Sequence, residues 1–247
     1  MKKVIAIIPA RLESTRLPRK LLRDVCGKPL IIRTCEAIQE SKYINKLIVA
    51  VDSDDIRSVC ELYGYESIMT DPNLKSGTDR IFAAYQNLKE EYDYILNVQA
   101  DEPLINIDDL DNLIEKFSET EDSAATIYKK IEDLKQLNSP DNVKVIFNPK
   151  YQAIYFSRNI IPYRRDIEKE NLLEGFSYFK HIGVYLYKKE TLKKFVELES
   201  SKLEIEEKLE QLRLIENGFS IFCVETENEI HGVDTFEDLQ KVQKYFN

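Results

Sequence analysis

The chain has 247 residues, 43% of them hydrophobic and 32% charged, and its formal net charge is −9. This composition is typical of a soluble globular protein built as one large domain or as a domain with an insertion, and the acidic balance argues against a broad nucleic-acid surface or a basic membrane patch. No apolar run approaches the roughly 18 residues of a membrane span. Four cysteines without CxxC spacing and only two histidines argue against a disulfide framework or a zinc site, so we expect reduced thiols in a cytoplasmic protein.

Apolar strands and amphipathic helices alternate through the first half of the chain. Residues 4–8 form a continuous apolar run, which is typical of a buried strand in a parallel sheet, and a polar loop follows it. The turn at 27–29 is suited to open a helix, and Gly64 is suited to end the next one. The sequence predicts strands over residues 4–8, 46–51, 66–69, 94–98 and 124–128, and helices over residues 30–39, 56–63, 76–91 and 107–117.

The pattern changes near residue 129. Three alternating segments predict strands over residues 142–147, 152–156 and 180–187, followed by helices over 189–198 and 204–216, a strand over 220–224 and a final helix over 236–246. We therefore predict an α/β fold with a doubly wound, mostly parallel sheet. Residues 1–128 and 218–247 would form a nucleotide-binding core, and residues 129–217 a mixed α/β insertion that holds a second substrate.

The loop after the first predicted strand is rich in cations. In an open α/β sheet this loop lies at the carboxyl end of the strand, where ligands bind. Several cations there in an otherwise acidic chain favour a polyanion such as a nucleoside triphosphate, although the GxxxxGK[ST] phosphate loop is absent. The alternative is a solvated basic loop. The cations are Arg11, Arg16, Arg19, Lys20 and Arg23.

Three further clusters permit both a functional and a structural interpretation. In the segment 99–103 (QADEP), Asp101 could hold Mg²⁺ and Gln99 could bind a base through its amide, or Asp101 could cap a helix. The segment 76–80 (SGTDR) could let the backbone approach a ligand, although capping also explains it. In the segment 231–235 (HGVDT), Asp234 could be a second metal ligand or could precede a capped helix.

Together these segments resemble a known family. PARLESTRLP, SGTDR, NVQADEP, YFSR, KHIGVYLY, EKLEQLRLIENG and HGVDTFEDL occur in the same order as in the bacterial cytidylyltransferases that activate 3-deoxy-manno-octulosonate (Kdo), between about Val4 and Leu239. The resemblance implies attack of the anomeric hydroxyl of Kdo on the α-phosphorus of CTP with release of pyrophosphate, for lipopolysaccharide or capsule synthesis. It also implies Mg²⁺ as the cofactor, a Rossmann-like nucleotidyltransferase fold, and a homodimer formed through the insertion.

The resemblance also implies roles for individual residues. Arg11 and Lys20, with Arg16 close by, would contact the triphosphate beside Pro9 and Ala10. Asp101 and Asp234 would hold Mg²⁺, so that Arg11, Lys20, Asp101 and Asp234 form the catalytic set. The cytosine pocket would be formed by Ser76, Gly77, Arg80 and Gln99, and the sugar acid would be bound by Arg158, His181, Tyr185, Glu210 and Gln211.

Two residues depart from the family pattern. Arg19 and Ala100 stand where the family has glycine, and a residue other than glycine adopts positive φ only at a cost. A different closure of the basic loop would affect Lys20, and a strained Ala100 would shift Asp101. Two alternatives therefore stay open: a cytidylyltransferase for another sugar acid, such as 8-amino-Kdo or a sialic acid, and a non-catalytic nucleotide-binding paralogue.

Overall fold

A nine-stranded sheet forms the centre of the protein in the computed structural model, which describes residues 2–229 and 231–246. Its main path runs β11-β7-β10-β6-β1-β4-β5, and β8 and β9 extend it beside β10. The strands are β1 (Val4–Ala10), β4 (Ile44–Val51), β5 (Ser67–Met69), β6 (Tyr94–Asn97), β7 (Ala124–Lys130), β8 (Lys144–Phe147), β9 (Ala153–Ser157), β10 (Phe179–Lys188) and β11 (Ile221–Glu225); β2 (Asp24–Val25) and β3 (Lys28–Pro29) form a separate two-stranded ladder.

Helices cover both faces of this sheet. Successive residues of β1 alternate between two hydrophobic clusters, with Ala6 and Ile8 in one and Ile5 and Ile7 in the other, all fully buried. Burying each isoleucine contributes about 1.5–3 kcal/mol, so both faces stabilise the fold. The helices are α1 (Leu30–Gln39), α2 (Asp54–Leu62), α3 (Gly77–Gln86), α4 (Ile107–Ser118), α5 (Leu134–Asn138), α6 (Lys189–Glu197), α7 (Lys202–Glu207), α8 (Leu212–Glu216) and α9 (Phe236–Phe246).

The predicted doubly wound α/β fold is confirmed, with one antiparallel strand near its middle. β1 pairs in parallel with β4 and β6, and β11 pairs in parallel with β7, whereas β10 runs antiparallel to both β6 and β7. β10 comes from residues 129–217, so this segment contributes a strand to the central sheet. The division of the chain into a core and an insertion stays a prediction. No helix in the described part of the chain is long and apolar enough to span a membrane.

Two helix predictions were wrong in their extent. The helix predicted to reach residue 91 ends at Gln86, because the following charged residues 89–91 are exposed and have no core to face. The single helix predicted over residues 204–216 is broken into α7 and α8. Lys208 ends α7 in the left-handed conformation, with φ 55° and ψ 47°, and a turn follows. The sequence analysis also missed α5 and the β2–β3 ladder.

Candidate active site

Two cavities meet at the carboxyl ends of β1 and β6. The first, of about 430 Å³, lies beneath the basic loop and is here named the loop cavity; its wall includes Arg11, Arg16, Lys20 and Asp101. The second, of about 610 Å³, is named the sheet cavity, and its wall includes Arg158, His181 and Tyr185. The two cavities share four wall residues, which are Gly77, Gln99, Glu210 and Asp234.

Lys20 joins the two carboxylates that the sequence analysis selected as metal ligands. Its Nζ donates to Asp101 Oδ2 at 2.5 Å and to Asp234 Oδ1 at 3.0 Å, and Arg16 Nη2 lies 2.9 Å from the same Asp234 oxygen. Burial lowers the pKa of Lys20, but the two carboxylates more than offset this and raise the pKa above its ordinary value. Two carboxylates thus converge on a single ammonium group that stays protonated near neutral pH.

The two departures from the family pattern have different outcomes. Arg19 adopts the left-handed conformation, with φ 54° and ψ 36°, and its guanidinium pairs with Asp55 at 2.5 Å. The backbone conformation that glycine would favour is therefore present, and Lys20 points inward from it. Ala100 does not belong to the non-glycine residues with positive φ, so the suspected strain beside Asp101 is absent.

The remaining loop-cavity residues come from the end of β1 and the start of α3. Arg11 is exposed and donates to the Leu74 carbonyl at 3.0 Å. Pro9 and Ala10 end β1, and a Cβ added to Gly77 would lie 3.4 Å from Pro9 Cγ, so glycine permits a close approach of α3 to the strand. The loop-cavity wall contains Pro9 but not Ala10.

Ser76 and Arg80 behave differently from the prediction of a shared cytosine pocket. Ser76 lines the loop cavity and also forms a capping box, because its hydroxyl accepts from Asp79 N at 3.0 Å while Asp79 accepts from Ser76 N at 3.1 Å. Arg80 is fully buried and donates to Thr70 Oγ1 at 2.6 Å. It lines neither cavity, but its backbone N–H donates to the Ser76 carbonyl at 3.2 Å, so its part in a cytosine pocket stays a prediction.

The sheet cavity contains half-buried titratable groups. His181 Nε2 lies 3.1 Å from Thr126 Oγ1, and burial lowers the pKa of His181 to about 3, so the imidazole is neutral near pH 7. Burial also raises the pKa of Glu210, although hydrogen bonds from Thr78 and Ser76 oppose this shift. Burial, followed by the charge of Asp101, raises the pKa of Glu102 to about 8. His181 and Glu102 therefore carry less charge at neutral pH than the same side chains in water.

Arg158 lies at the edge of the sheet cavity with its guanidinium fixed by backbone carbonyls. It donates to the carbonyls of Glu207 at 2.8 Å, Pro140 at 3.1 Å and Lys208 at 3.4 Å. Glu210 and Gln211 reach the same cavity from the turn between α7 and α8. The break in the predicted helix therefore places these two side chains in the site.

Comparison with known proteins identifies the family. A family model described as Cytidylyltransferase matches residues 5–226. The 3-deoxy-manno-octulosonate cytidylyltransferase of Francisella tularensis subsp. holarctica is 40% identical over 250 residues and 100% of both chains, and that of Chlorobium phaeobacteroides is 41% identical over 98% of this chain and 96% of the relative. The solved structure of a CMP:2-keto-3-deoxy-manno-octonic acid synthetase complexed with CTP matches with a TM-score of 0.91 and 34% identity, over 99% of this chain and 98% of that one. The chain belongs to the cytidylyltransferase family.

Several residues of this cytidylyltransferase line the sheet cavity without having been selected from the sequence. Among them are Asn97, Glu102 and Lys180. Asn97 lies two residues before Gln99, and residues at this spacing in an extended chain share a face, so this signal was available. Glu102 directly follows Asp101, and Lys180 directly precedes His181.

Unpaired buried polar atoms are concentrated in the sheet cavity. Asn97 Oδ1, Glu102 Oε2 and Gln211 Nε2 are buried without a hydrogen-bond partner in the described structure, and Tyr185 Oη approaches Thr126 without good hydrogen-bond geometry. A buried polar group left unpaired costs about 1–3 kcal/mol. A ligand rich in hydroxyl groups would satisfy these atoms, whereas an apolar ligand would not.

Proposed function

We propose that this cytidylyltransferase couples Kdo to CTP and gives CMP-Kdo and pyrophosphate. One observation carries the proposal: a cation-lined cavity and a cavity with unpaired polar atoms meet at a shared wall. The names of the relatives and of the CTP-complexed structure support the choice of the two substrates.

The loop cavity suits the triphosphate and the nucleoside of CTP. Arg11, Arg16 and Lys20 would neutralise phosphate charge, with Pro9 beside them, and Ser76, Gly77 and Gln99 would bind the cytosine. The anomeric hydroxyl of Kdo attacks the α-phosphorus and loses its proton to solvent, while the bond from the α-phosphorus to the oxygen that bridges it to the β-phosphate breaks and pyrophosphate leaves with that oxygen. Fixed cations stabilise the charge that develops on the leaving group, so positioning and electrostatics supply most of the rate enhancement.

The arrangement of Asp101 and Asp234 fits Mg²⁺. Both carboxylates already converge on the cationic Lys20, and carboxylate oxygens are ligands that Mg²⁺ prefers. The described residues contain no group of three or more His, Cys, Asp and Glu side chains that could hold a metal, so phosphate oxygens and water would complete the coordination. When bound, Mg²⁺ would neutralise phosphate charge at the reacting centre.

The sheet cavity suits the sugar acid. Arg158 has five N–H groups, of which three donate to carbonyls, so two remain for the Kdo carboxylate. His181 is neutral and would bind a hydroxyl by a hydrogen bond rather than by charge. Tyr185, Glu210 and Gln211 would pair with further hydroxyl groups of the sugar.

We also propose that the protein is a cytoplasmic homodimer whose product feeds lipopolysaccharide or capsule synthesis. Large apolar side chains are exposed on β9 and in the loops beside β8 and β9. Tyr151 is 50% exposed, Ile154 52%, Tyr163 87% and Phe176 41%. Exposed apolar groups that lie near one another on a surface favour a site that a protein partner covers.

The test is pyrophosphate release from CTP and Mg²⁺ with Kdo, 8-amino-Kdo and N-acetylneuraminate supplied separately. We expect release with Kdo. Release with only one of the other two sugars would identify that sugar, and not Kdo, as the substrate. If a folded protein that binds CTP releases no pyrophosphate with any of the three, the result would support a non-catalytic paralogue.

A further inference from the structure

The end of β9 and the end of α7 are joined through one carboxylate, that of Glu207. Glu207 Oε1 accepts from the Ser157 hydroxyl at 2.6 Å, and Oε2 accepts from the Arg158 backbone N–H at 2.8 Å. Both oxygens are therefore used, and one of them binds the backbone of the residue proposed to hold the sugar carboxylate.

The backbone of the same turn holds the Arg158 side chain. The Glu207 carbonyl accepts from Arg158 Nε at 2.8 Å, and the Lys208 carbonyl accepts from Nη2 at 3.4 Å. The buried Lys144 donates to the Arg158 carbonyl at 2.7 Å, which fixes the strand end from its other side. The guanidinium therefore has one orientation as long as the Glu207 carboxylate keeps the turn against β9.

The turn that Glu207 holds also carries the next two proposed sugar contacts. Lys208 reverses the chain in the left-handed conformation, and Glu210 and Gln211 follow before α8 begins. Both side chains line the same cavity as Arg158. One half-buried carboxylate thus connects the two chain segments that surround the sugar.

We propose that Glu207 is a positioning residue that orients Arg158 for the carboxylate of the sugar acid. This inference rests on the proposed function, because it takes Arg158 as a sugar contact. Glu207 itself touches no substrate and acts through Arg158. A bidentate contact between a guanidinium and a carboxylate depends on orientation, so a small rotation of the fork weakens it.

The first test replaces Glu207 with glutamine. Glu207→Gln keeps the size of the side chain but removes its charge, and its single oxygen can accept from only one of the two partners, the Arg158 N–H or the Ser157 hydroxyl, by a weaker neutral hydrogen bond. We expect the KM for Kdo to rise about tenfold, the factor for one lost charge-assisted hydrogen bond, while the KM for CTP changes less than twofold. Glu206→Gln, on the exposed side of the same helix, is the matched control and should change neither value.

A double-mutant cycle with Arg158→Ala separates positioning from a general structural effect. If Glu207 acts through Arg158, Glu207→Gln should have no further effect on the KM for Kdo once Arg158 is alanine. Equal rises in the KM values for both substrates, or the same tenfold rise in the Arg158→Ala background, would overturn the inference. If Glu207→Gln fails to fold, Ser157→Ala takes its place, since it removes one of the two contacts and retains the carboxylate.

A readout without catalysis separates this inference from the proposed function. In the wild type, the Nε–H signal of Arg158 in a proton–nitrogen spectrum should exchange slowly with water, because it donates to the Glu207 carbonyl. We expect faster exchange in Glu207→Gln and no change in Glu206→Gln. An unchanged Arg158 signal in Glu207→Gln would refute the positioning role, whereas an inactive wild type with the expected spectra would refute only the proposed function.

Discussion

Lys20 holds together two carboxylates from distant parts of the chain, Asp101 after β6 and Asp234 before α9. Two carboxylates that face the same point repel each other, and an intervening ammonium offsets that repulsion. The sequence predicted the identity of these three residues through the family resemblance. It could not predict that Arg19 would adopt the left-handed backbone conformation, because positive φ is costly for a residue with a side chain and forms only where contacts in the rest of the loop offset that cost.

Neutralising either carboxylate should abolish most of the activity. We expect Asp101→Asn and Asp234→Asn to lower kcat by at least about two orders of magnitude, since each variant loses negative charge that would bind Mg²⁺. The measurement is steady-state pyrophosphate release, with circular dichroism to establish that the variants fold. Asp54→Asn, an exposed position on α2, is the control and should retain full activity. Near-normal turnover in either variant would remove that residue from the metal site.

The unpaired Oδ1 atom of Asn97 leads to a second prediction about a single residue. Asn97→Leu has a similar volume but no acceptor for a sugar hydroxyl, so the KM for Kdo should rise about tenfold while the KM for CTP is unchanged. Unfolding by urea should show stability equal to or above that of the wild type, because an unpaired buried group is removed. Ser67→Ala removes an unpaired hydroxyl outside both cavities and should leave both KM values unchanged. An unchanged KM for Kdo in Asn97→Leu would show that the sugar does not use this atom.

His181 should contribute a pH dependence to stability. Its pKa is about 3 in the folded protein and about 6.5 when unfolded, so the unfolded state takes up the proton first as the pH falls. The free energy of unfolding that depends on a neutral His181 is fully present above about pH 6.5 and is lost progressively as the pH falls toward 3. Between pH 7.5 and 5, the free energy of unfolding of the wild type should therefore fall by about 2 kcal/mol more than that of His181→Gln. If the free energy of unfolding of the two proteins falls by the same amount across that interval, the folded protein does not hold His181 in the neutral state.

At the scale of elements, the strands and helices with strong periodicity were predicted well, and the turn that forms the site was not. The predicted bounds of α1 and α9 agree with the structure. The break after α7 escaped detection because Leu209, Leu212 and Ile215 are three residues apart and all face apolar clusters, which is also the pattern of a continuous helix. The break is set instead by tertiary contacts, since the Glu204 carboxylate binds Arg213 and the Glu207 carboxylate binds the end of β9.

The left-handed Lys208 gives a prediction for this turn. Lys208→Gly should raise the free energy of unfolding by about 1 kcal/mol, because glycine adopts positive φ without a Cβ clash. Lys193→Gly, at an exposed position inside α6, should lower it by about the same amount. Urea unfolding measures both. If Lys208→Gly lowers the free energy of unfolding instead, contacts of the lysine side chain stabilise the fold by more than the positive φ destabilises it.

At the scale of the whole molecule, the position of β10 could not be predicted from local patterns. Alternation predicts that a segment is a strand, but it does not say between which neighbours the strand lies or in which direction it runs. β10 pairs with β6 through Tyr185 and with β7 through His181, so it brings residues of the second half of the chain beside the carboxyl end of β6. The sheet cavity exists because of this pairing.

The exposed apolar residues near β8 and β9 lead to a prediction about assembly. Light scattering coupled to gel filtration should give a dimer for the wild type, and Tyr163→Glu should shift the equilibrium toward monomer, because a carboxylate would be buried unpaired in the interface. Leu62→Glu changes a residue that is 80% exposed on α2 and should leave the mass unchanged. A monomeric wild type would refute the proposed dimer.

The four residues shared by the two cavities would couple the two proposed substrates thermodynamically. Gly77, Gln99, Glu210 and Asp234 each face both spaces, so a ligand in one cavity completes or distorts the wall of the other. If bound CTP changes the affinity for the sugar acid by a certain factor, bound sugar acid changes the affinity for CTP by the same factor. The reason is that the free energy of forming the ternary complex does not depend on the order of binding. A mutation in this wall therefore cannot weaken one substrate's effect on the other without weakening the reverse effect by the same factor.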